Sequence, residues 1–174
     1  CEGEPSLNAD IIAPAIAAIR QQTDRGTINM NTNAGYTAGI KKLCCSGLDA
    51  LRVTIFSCRE DNYNAYHRPR NYGWKDVQES IRYAKGLGLQ VAINLLSLPG
   101  FTDREEEIEA LMGFVQKNGV DMIQLRNLNI DPDLLFRVIP SGGTAVGMVN
   151  LLYLLQQELP AVMIGSYTHP WQPK

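Results

Sequence analysis

The sequence predicts an α/β fold whose strands form one parallel sheet. Segments of strand composition alternate with segments of helical periodicity, the strand segments are apolar at nearly every residue, and the crossovers are long enough to be right-handed. The 174 residues, of which 45% are hydrophobic and 20% charged, suffice for a single core. Periodicity leaves two arrangements open, a doubly wound sheet and an incomplete (β/α) barrel.

The first predicted helix covers residues 8 to about 22. Its spacing gives an apolar stripe, and Pro14 fits only in the first turn, where no backbone N–H is needed. The stripe consists of Ile11, Ile12, Ala15, Ile16 and Ile19. A helix therefore precedes the first complete strand.

The rest of the chain keeps the alternation. Strands are predicted at 27–33, 50–56, 89–96, 120–128 and within 161–167, and helices at 36–47, 74–88, 102–119 and 142–159. Residues 57–73 are predicted to form a polar loop. Thr102 and Glu105 have the spacing of a capping box, which would start the helix at 102–119. The acidic run "DREEEIE" at 103–109 is then its first turn and solvent face.

Composition argues against several classes of function. A net charge of -2 without a Lys/Arg stripe gives no indication of nucleic-acid binding. The apolar runs are too short to cross a bilayer, so we expect a soluble, cytoplasmic protein. Cys1, Cys44, Cys45 and Cys58 match neither a disulfide framework nor a metal motif. We expect reduced thiols, with Cys44 and Cys45 buried on a helix, and no metal ligands.

Polar residues mark the predicted carboxyl ends of the strands, where ligands gather in α/β folds. They occur at 2–4, 31–35, 54–58, 94–100 and 124–129. The alternative is that they are ordinary turn and cap residues. Arg126 would need an anionic partner if enclosed, either a ligand or Asp131. His67 lies in a basic, aromatic loop and is either structural or a substrate contact.

No familiar catalytic motif identifies a catalytic residue: GxSxG, HExxH, GxxxxGK and GxGxxG do not occur. An ordered set of segments is more informative. It comprises "CEGEP" at the start, "TN" with a following Gly at the end of the next strand, "TIFS", "LLSLPGFTDREEEIEAL" and "MIQLRNLN". This set, over roughly residues 1–140, resembles the radical S-adenosylmethionine superfamily.

The resemblance implies a partial (β/α)6 TIM-like barrel of which this chain holds a truncated part. The chain would be a single domain, with the superfamily core at about 1–140 and a C-terminal helix and strand at about 141–174. In the superfamily, a CxxxCxxC loop after the first strand holds a 4Fe-4S cluster. That spacing does not occur here. We therefore expect the cluster ligands upstream of this chain, and no cluster binding by the chain alone.

The resemblance also implies roles for individual residues in binding S-adenosylmethionine. Gly3 and Glu4 match the Gly-Gly-Glu-Pro turn that contacts the amino group, while Glu2 stands where the superfamily usually has its first glycine. Thr54 resembles the strand-end residue near the ribose or carboxylate. The other candidates are Asn33 after the next strand, Ser57 as a second choice beside Thr54, Asn94 near the ribose, and Arg126 with Leu125 near the adenine.

The implied activity is reductive cleavage of S-adenosylmethionine to start radical chemistry. The substrate, whether small molecule, peptide or protein, stays open, since activating, cofactor-maturation and peptide-modifying enzymes share these motifs. A truncated barrel would also expose a strand edge, through which we expect dimerisation. Two alternatives remain: a complete aldolase-like or phosphate-binding (β/α) protein, suggested by the Gly-rich segment 141–147, and a non-catalytic small-molecule binding module.

Overall fold

The computed structural model describes residues 3–139 and 142–165. Five parallel strands form one sheet in the order β1-β2-β3-β4-β5. The strands are β1 (Asn29–Thr32), β2 (Ala50–Ile55), β3 (Gln90–Ser97), β4 (Met122–Asn127) and β5 (Met163–Gly165). A 3-10 helix (Pro5–Asn8) is followed by α1 (Ala9–Gln22), α2 (Thr37–Cys44), α3 (Glu60–His67), α4 (Trp74–Gly86), α5 (Glu105–Asn118), α6 (Pro132–Phe136) and α7 (Met148–Glu158).

The strand order decides between the two arrangements. A doubly wound sheet reverses its order at a switch point and takes helices on both faces. Here the order is continuous, and α1, α2, α4, α5 and α7 contribute to one core on one face of the sheet. The predicted α/β class and parallel sheet are confirmed, in the arrangement of a partial barrel.

The two faces of the sheet differ sharply in chemistry, because successive strand residues point to opposite sides. Leu51, Val53, Ile93 and Ile123 belong to the main core against the helices. We call the other side the open face. Its residues on β1 to β4 are Asn29, Asn31, Ala50, Arg52, Thr54, Gln90, Ala92, Asn94, Leu96, Met122, Gln124 and Arg126.

A second apolar cluster lies beyond the carboxyl ends of the strands. Phe56 stacks on Phe101 at 4.6 Å and on Tyr66 at 4.5 Å between ring centroids, and Leu135 and Ile139 complete the buried part. Aromatic stacking adds about 0.5–1.5 kcal/mol per pair to the burial of apolar area. The cluster therefore ties α3 and α6 to the loops that follow β2 and β3.

The predicted stripe on the first helix is largely wrong. The buried residues of α1 are Ala9, Ala13 and Ile16, whereas Ile11 is 75% exposed and Ile19 48% exposed. Pro14 also lies inside the helix and not in its first turn. Pro14 is exposed, so water can bond the carbonyl oxygen that its missing N–H leaves without a partner.

Two local predictions in the middle of the chain are also wrong. The predicted polar loop contains α3, whose Tyr63 is fully buried and packs on Trp74 at 4.6 Å between ring centroids. Helix α5 starts at Glu105 with Arg104 as its N-cap, so Thr102 is no part of a capping box. The Thr102 hydroxyl instead accepts a hydrogen bond of 2.8 Å from the Leu98 N–H, which closes the preceding turn.

Helix α7 begins at Met148, later than predicted, because the preceding segment pairs with the start of α5. The Glu105 N–H donates to the Thr144 carbonyl, and the Val146 N–H donates to the Asp103 carbonyl. The Asp103 carboxylate accepts from the Gly147 N–H at 3.0 Å. The predicted final strand is present as β5, and the rest of residues 161–167 after Gly165 lies outside the described residues.

The sheet ends in β1 on one side and β5 on the other among the described residues. Dimerisation through an open strand edge stays a prediction. Within residues 3–139 and 142–165, no helix has the length and apolar character that a membrane span requires.

Candidate functional site

Three polar residues form a row across the open face: the predicted site residues Thr54 and Asn94, and in addition Gln124. By strand register, Thr54 lies beside Asn94 and Asn94 beside Gln124. Thr54 and Asn94 are half-buried, and Gln124 is completely buried. The Asn94 Oδ1 atom is buried and has no hydrogen-bond partner among the described residues. Because buried acceptors are nearly always paired, the row offers an acceptor to a ligand.

Arg126 lies further along the same face. It pairs in register with Leu96, toward the carboxyl end of the strands, and is exposed. Its expected protein partner, Asp131, is engaged elsewhere: the Asp131 carboxylate caps α6 by accepting hydrogen bonds from the N–H groups of Asp133 at 2.9 Å and Leu134 at 3.4 Å. Because Arg126 is exposed, water can solvate its guanidinium, and contact of Arg126 with a ligand stays a prediction.

Glu4 joins the opening turn, by which we mean residues 3–6, to the end of β1. Its Oε1 accepts hydrogen bonds from the Ser6 N–H at 3.0 Å, the Ser6 hydroxyl at 2.7 Å and the Thr32 hydroxyl at 2.5 Å. Its Oε2 accepts from the Asn33 N–H at 2.7 Å. Gly3 precedes it with a φ of 91°, a conformation that favours glycine. These bonds hold the turn against the end of β1.

The turn after β1 is equally well defined. The Asn33 Oδ1 accepts from the Gly35 N–H at 2.8 Å, and the Thr32 hydroxyl accepts from the Ala34 N–H at 2.9 Å. Ala34 is completely buried and has a φ of 58°, which costs a non-glycine residue about 1–2 kcal/mol. The Asn33 side-chain oxygen is thus used within the turn, and Asn33 shapes the rim of the sheet.

Ser57 contributes to a buried cluster that the sequence did not suggest. Its hydroxyl donates to Glu107 Oε2 at 2.6 Å and accepts from the Arg59 N–H at 3.1 Å, while the Asn62 amide donates to Glu107 Oε1 at 2.6 Å. Burial raises the pKa of Glu107, and the bonds from Ser57 and Asn62 oppose that rise.

The predicted solvent face for residues 103–109 is wrong at Glu107, which is buried. The first-turn position is correct, because Glu105, Glu106 and Glu107 all lie there. Helical spacing could have shown the difference, since Glu107 precedes Leu111 by four residues and shares its buried side of α5. The carboxylate joins α5 to the loop after β2.

His67 lies in α3 and has a structural contact. Its Nε2 accepts a hydrogen bond of 3.2 Å from the Phe56 N–H, and its ring stacks on Tyr63 at 4.4 Å between centroids. Burial lowers the pKa of His67 from 6.5 to about 4. The imidazole is therefore neutral at pH 7, and it accepts the hydrogen bond of the first backbone N–H after β2.

This burial predicts a pH-dependent stability. Between pH 6.5 and 4 the unfolded chain binds a proton at His67 that the folded chain does not bind, so stability falls as the pH falls through that window. From pH 7 to pH 5 we expect the wild type to lose about 2 kcal/mol more than His67→Gln, whose amide oxygen can still accept from Phe56. Urea unfolding of both proteins at the two pH values measures this, and equal losses would contradict it.

The remaining residues singled out from the sequence are Glu2 and the four cysteines. Glu2 and Cys1 lie outside the described residues. Cys44 is buried as predicted, whereas Cys45 is exposed just after α2. Burial raises the pKa of Cys44 to about 12, and burial followed by the charge of Glu107 raises that of Cys58. Within the described ranges, no three His, Cys, Asp or Glu side chains are placed to share a metal ion.

Comparison with protein-family models identifies the superfamily of the chain. The model of the radical SAM superfamily matches residues 1–114. The chain belongs to the radical S-adenosylmethionine superfamily. The matched range includes the opening turn, the turn after β1, Thr54, Ser57 and Asn94, while Arg126 follows it. A search of curated proteins finds no match.

Solved structures of radical SAM proteins share the fold. A domain of pyruvate-formate lyase-activating enzyme from Bacteroides vulgatus superposes with a TM-score of 0.65 at 12% identity, covering 94% of each chain. HydG, a maturase of the [FeFe]-hydrogenase, gives 0.60 at 18% identity over 90% of this chain and 37% of that one. Streptococcus suis SuiB bound to S-adenosylmethionine gives 0.57 at 14% identity, over 90% and 34%.

At identities this low, the superpositions show a common fold alone. The roles of residues in the site depend on the chemistry of the site itself. The chain spans only about a third of the length of the SuiB and HydG chains, so a radical SAM protein can carry much more than this sheet and its helices.

Proposed function

We propose that this chain is part of the catalytic core of a radical SAM enzyme that binds S-adenosylmethionine at the carboxyl ends of β1 to β4 and cleaves it reductively. The observation that carries the proposal is the buried Asn94 Oδ1, which has no hydrogen-bond partner within residues 3–139 and 142–165 and lies beside Thr54 on the open face of a chain from this superfamily. The substrate of the complete protein, whether small molecule, peptide or protein, is a separate question.

The donor set fits the cofactor. S-adenosylmethionine carries an ammonium group, a carboxylate and ribose hydroxyls, which need acceptors, donors and groups that are both. In the proposal the Gly3–Glu4 turn holds the amino group by its backbone, and Thr54 and Asn94 bind the ribose. Arg126 and, beyond the described residues, Glu2 complete the rim. Asn33 and Ser57 act through their hydrogen bonds to neighbouring groups by fixing the two adjacent loops.

The cofactors would supply the chemistry and the protein would orient them. With a 4Fe-4S cluster, S-adenosylmethionine supplies a sulfonium carbon–sulfur bond that one electron breaks. The side chains of the described residues offer no cluster ligand set, so in the proposal the ligands come from outside this chain. The sheet and its polar row would position the nucleoside and keep water away, in a protein that we expect to be cytoplasmic.

Thr54→Val and Asn94→Leu should weaken S-adenosylmethionine binding more than folding. Each removes a polar group at the proposed site, and a lost hydrogen bond of about 0.5–1.5 kcal/mol corresponds to about 2- to 10-fold in affinity. Gln90→Leu is the matched control, because Gln90 lies on the same face at the opposite end of β3. Calorimetry on the full-length protein measures the affinities, and wild-type affinity in both variants would remove these residues from the site.

The reaction itself is tested with the full-length protein reconstituted under anaerobic conditions. About four irons per chain and reductant-dependent release of 5'-deoxyadenosine would establish the activity. Binding of S-adenosylmethionine without cleavage would favour the non-catalytic binding module instead.

The phosphate-binding alternative has less support. Its Gly-rich segment would hold an anion by backbone N–H groups, but the N–H of Gly147 already donates to the Asp103 carboxylate and that of Val146 to the Asp103 carbonyl. An aspartate in this place would repel a phosphate.

A further inference from the structure

A pocket lies between the end of α3 and the segment that contains α6, next to the second apolar cluster. Its volume is about 430 Å³, which is within the range of small-molecule sites. Eight described residues line it: Ala65, Tyr66, His67, Arg68, Ile130, Leu134, Leu135 and Val138. We call it the α3–α6 pocket. The proposed S-adenosylmethionine site uses other residues.

The α6 side of the pocket is apolar. Leu134 and Val138, four residues apart, are 53% and 40% exposed, whereas Leu135 between them is buried in the second apolar cluster. Ile130 is partly buried and packs on the same cluster. Large apolar side chains that stay exposed around a concave surface are typical of binding sites. This side of the pocket therefore favours a ligand with an apolar body.

The α3 side of the pocket carries a positive charge. Of the eight residues, only Arg68 has a formal charge at pH 7, because burial lowers the pKa of His67 to about 4. Arg68 is exposed, and in the part of the chain that the structure describes it takes part in no ion pair. A single cation beside an apolar wall favours a ligand with one negative charge.

Two neutral residues of the same side add hydrogen-bond donors. The His67 Nε2 accepts from the Phe56 N–H, so the proton of the neutral imidazole is on Nδ1. Burial raises the pKa of Tyr66, so its hydroxyl keeps its proton at pH 7. Donors beside a guanidinium suit a carboxylate. A cationic ligand is disfavoured, since the described lining includes no acidic side chain.

Arg68 also has a backbone conformation that is unfavourable for its residue type. It directly follows the last residue of α3 with φ of 46° and ψ of 56°, a left-handed geometry in which glycine is preferred. Strained residues of this kind are concentrated at ligand sites. The chain thus has an arginine at the pocket where glycine would serve stability better.

We propose that the α3–α6 pocket binds a small carboxylic acid with an apolar body. The planar guanidinium of Arg68 matches a carboxylate in a bidentate geometry, and the hydrocarbon would lie against Leu134 and Val138. One cation matches one carboxylate, and the volume of about 430 Å³ suits a small molecule. The inference goes beyond the proposed function and does not depend on it.

The test is binding of sodium hexanoate to the full-length protein, measured by saturation-transfer NMR without S-adenosylmethionine. Hexan-1-ol offers the apolar body without the charge, and sodium acetate offers the charge without the apolar body. We expect saturable binding of hexanoate, about tenfold or more tighter than that of either comparison compound, since hydrogen bonds to a charged group are strong. Equal affinities for hexanoate and hexan-1-ol, or no saturable binding, would overturn the proposal.

Substitution of Arg68 separates binding from stability. Arg68→Gly should lower the affinity for hexanoate by about tenfold or more, and it should raise the urea midpoint because glycine suits the left-handed conformation. Arg68→Gln, which keeps a polar side chain without the charge, should lose the same affinity. Arg70→Gln is the matched control, because Arg70 is exposed in the same loop and outside the described lining. An equal loss of affinity in Arg70→Gln would overturn the proposal.

A peptide can present the same chemistry at its C-terminus, so acetyl-glycyl-glycyl-leucine is titrated in parallel. We expect it to bind no more tightly than hexanoate, and clearly tighter binding would overturn the assignment to a small molecule. Hexanoate binding by a protein that does not bind S-adenosylmethionine would refute the proposed function and leave this pocket in place. Binding of S-adenosylmethionine without binding of hexanoate would refute the pocket alone.

Discussion

Glu4→Gln is expected to lower the free energy of unfolding by about 3 kcal/mol. The Glu4 carboxylate accepts four hydrogen bonds from the opening turn and the end of β1. Glutamine keeps one oxygen, but its amide nitrogen would face either the Asn33 N–H or the donors of Ser6 and Thr32. Two donors would then meet at a site built for an acceptor, and hydrogen bonds to a charged group would be lost.

The same change should weaken S-adenosylmethionine binding in the full-length protein, because the turn that we assign to the cofactor would lose its tie to the sheet. Urea unfolding followed by circular dichroism gives the stability, and calorimetry gives the affinity. Glu109→Gln is the control: Glu109 is exposed on α5, and we expect its change to be within about 0.5 kcal/mol. Equal stability of the two variants would show that the Glu4 contacts are incidental.

Gly39→Ala should be destabilising by about 1–3 kcal/mol although it replaces glycine in a helix. A Cβ at this position of α2 would lie 2.2 Å from the carbonyl oxygen of Ser6 and 2.6 Å from the Tyr36 ring. Backbone cannot move aside as a side chain can, so α2 and the 3-10 helix would have to separate. The opening turn would move with them, because Ser6 is hydrogen-bonded to Glu4.

Gly113→Ala is the matched control on α5. An added Cβ there has no heavy atom within 4 Å, so the change should stabilise the protein by about 0.5–1 kcal/mol through helix propensity alone. Unfolding midpoints in urea compare the two variants. Changes of the same sign would mean that close packing of α2 on the opening turn does not limit stability.

The strands could be predicted because their composition reports burial directly. A continuous apolar run such as 50–56 is what a parallel strand covered by helices requires, and the crossover lengths fix the parallel direction. The buried residues Ile108, Leu111 and Val115 of α5 likewise follow helical spacing along the chain. Strand register then placed Thr54 and Asn94 side by side, which the sequence predicted only as positions at the same edge.

Features that depend on tertiary partners could not be read from the chain. Helix α3 is rich in polar and aromatic residues and has weak helical periodicity, and its stability depends on contacts of Tyr63 and His67 with Trp74 and Phe56. Glu107 looks solvated in a run of acidic residues until Ser57 and Asn62 supply its partners.

The separation of the two faces has a consequence for how such a protein can change over evolution. On β2, β3 and β4 alike, odd-numbered residues such as Leu51, Ile93 and Ile123 hold the helices, and even-numbered ones face away from them. A substitution at an even position alters the chemistry offered to a ligand while the helix packing stays as it was. Selection for a new substrate and selection for a stable scaffold therefore act on alternate residues of the same three strands.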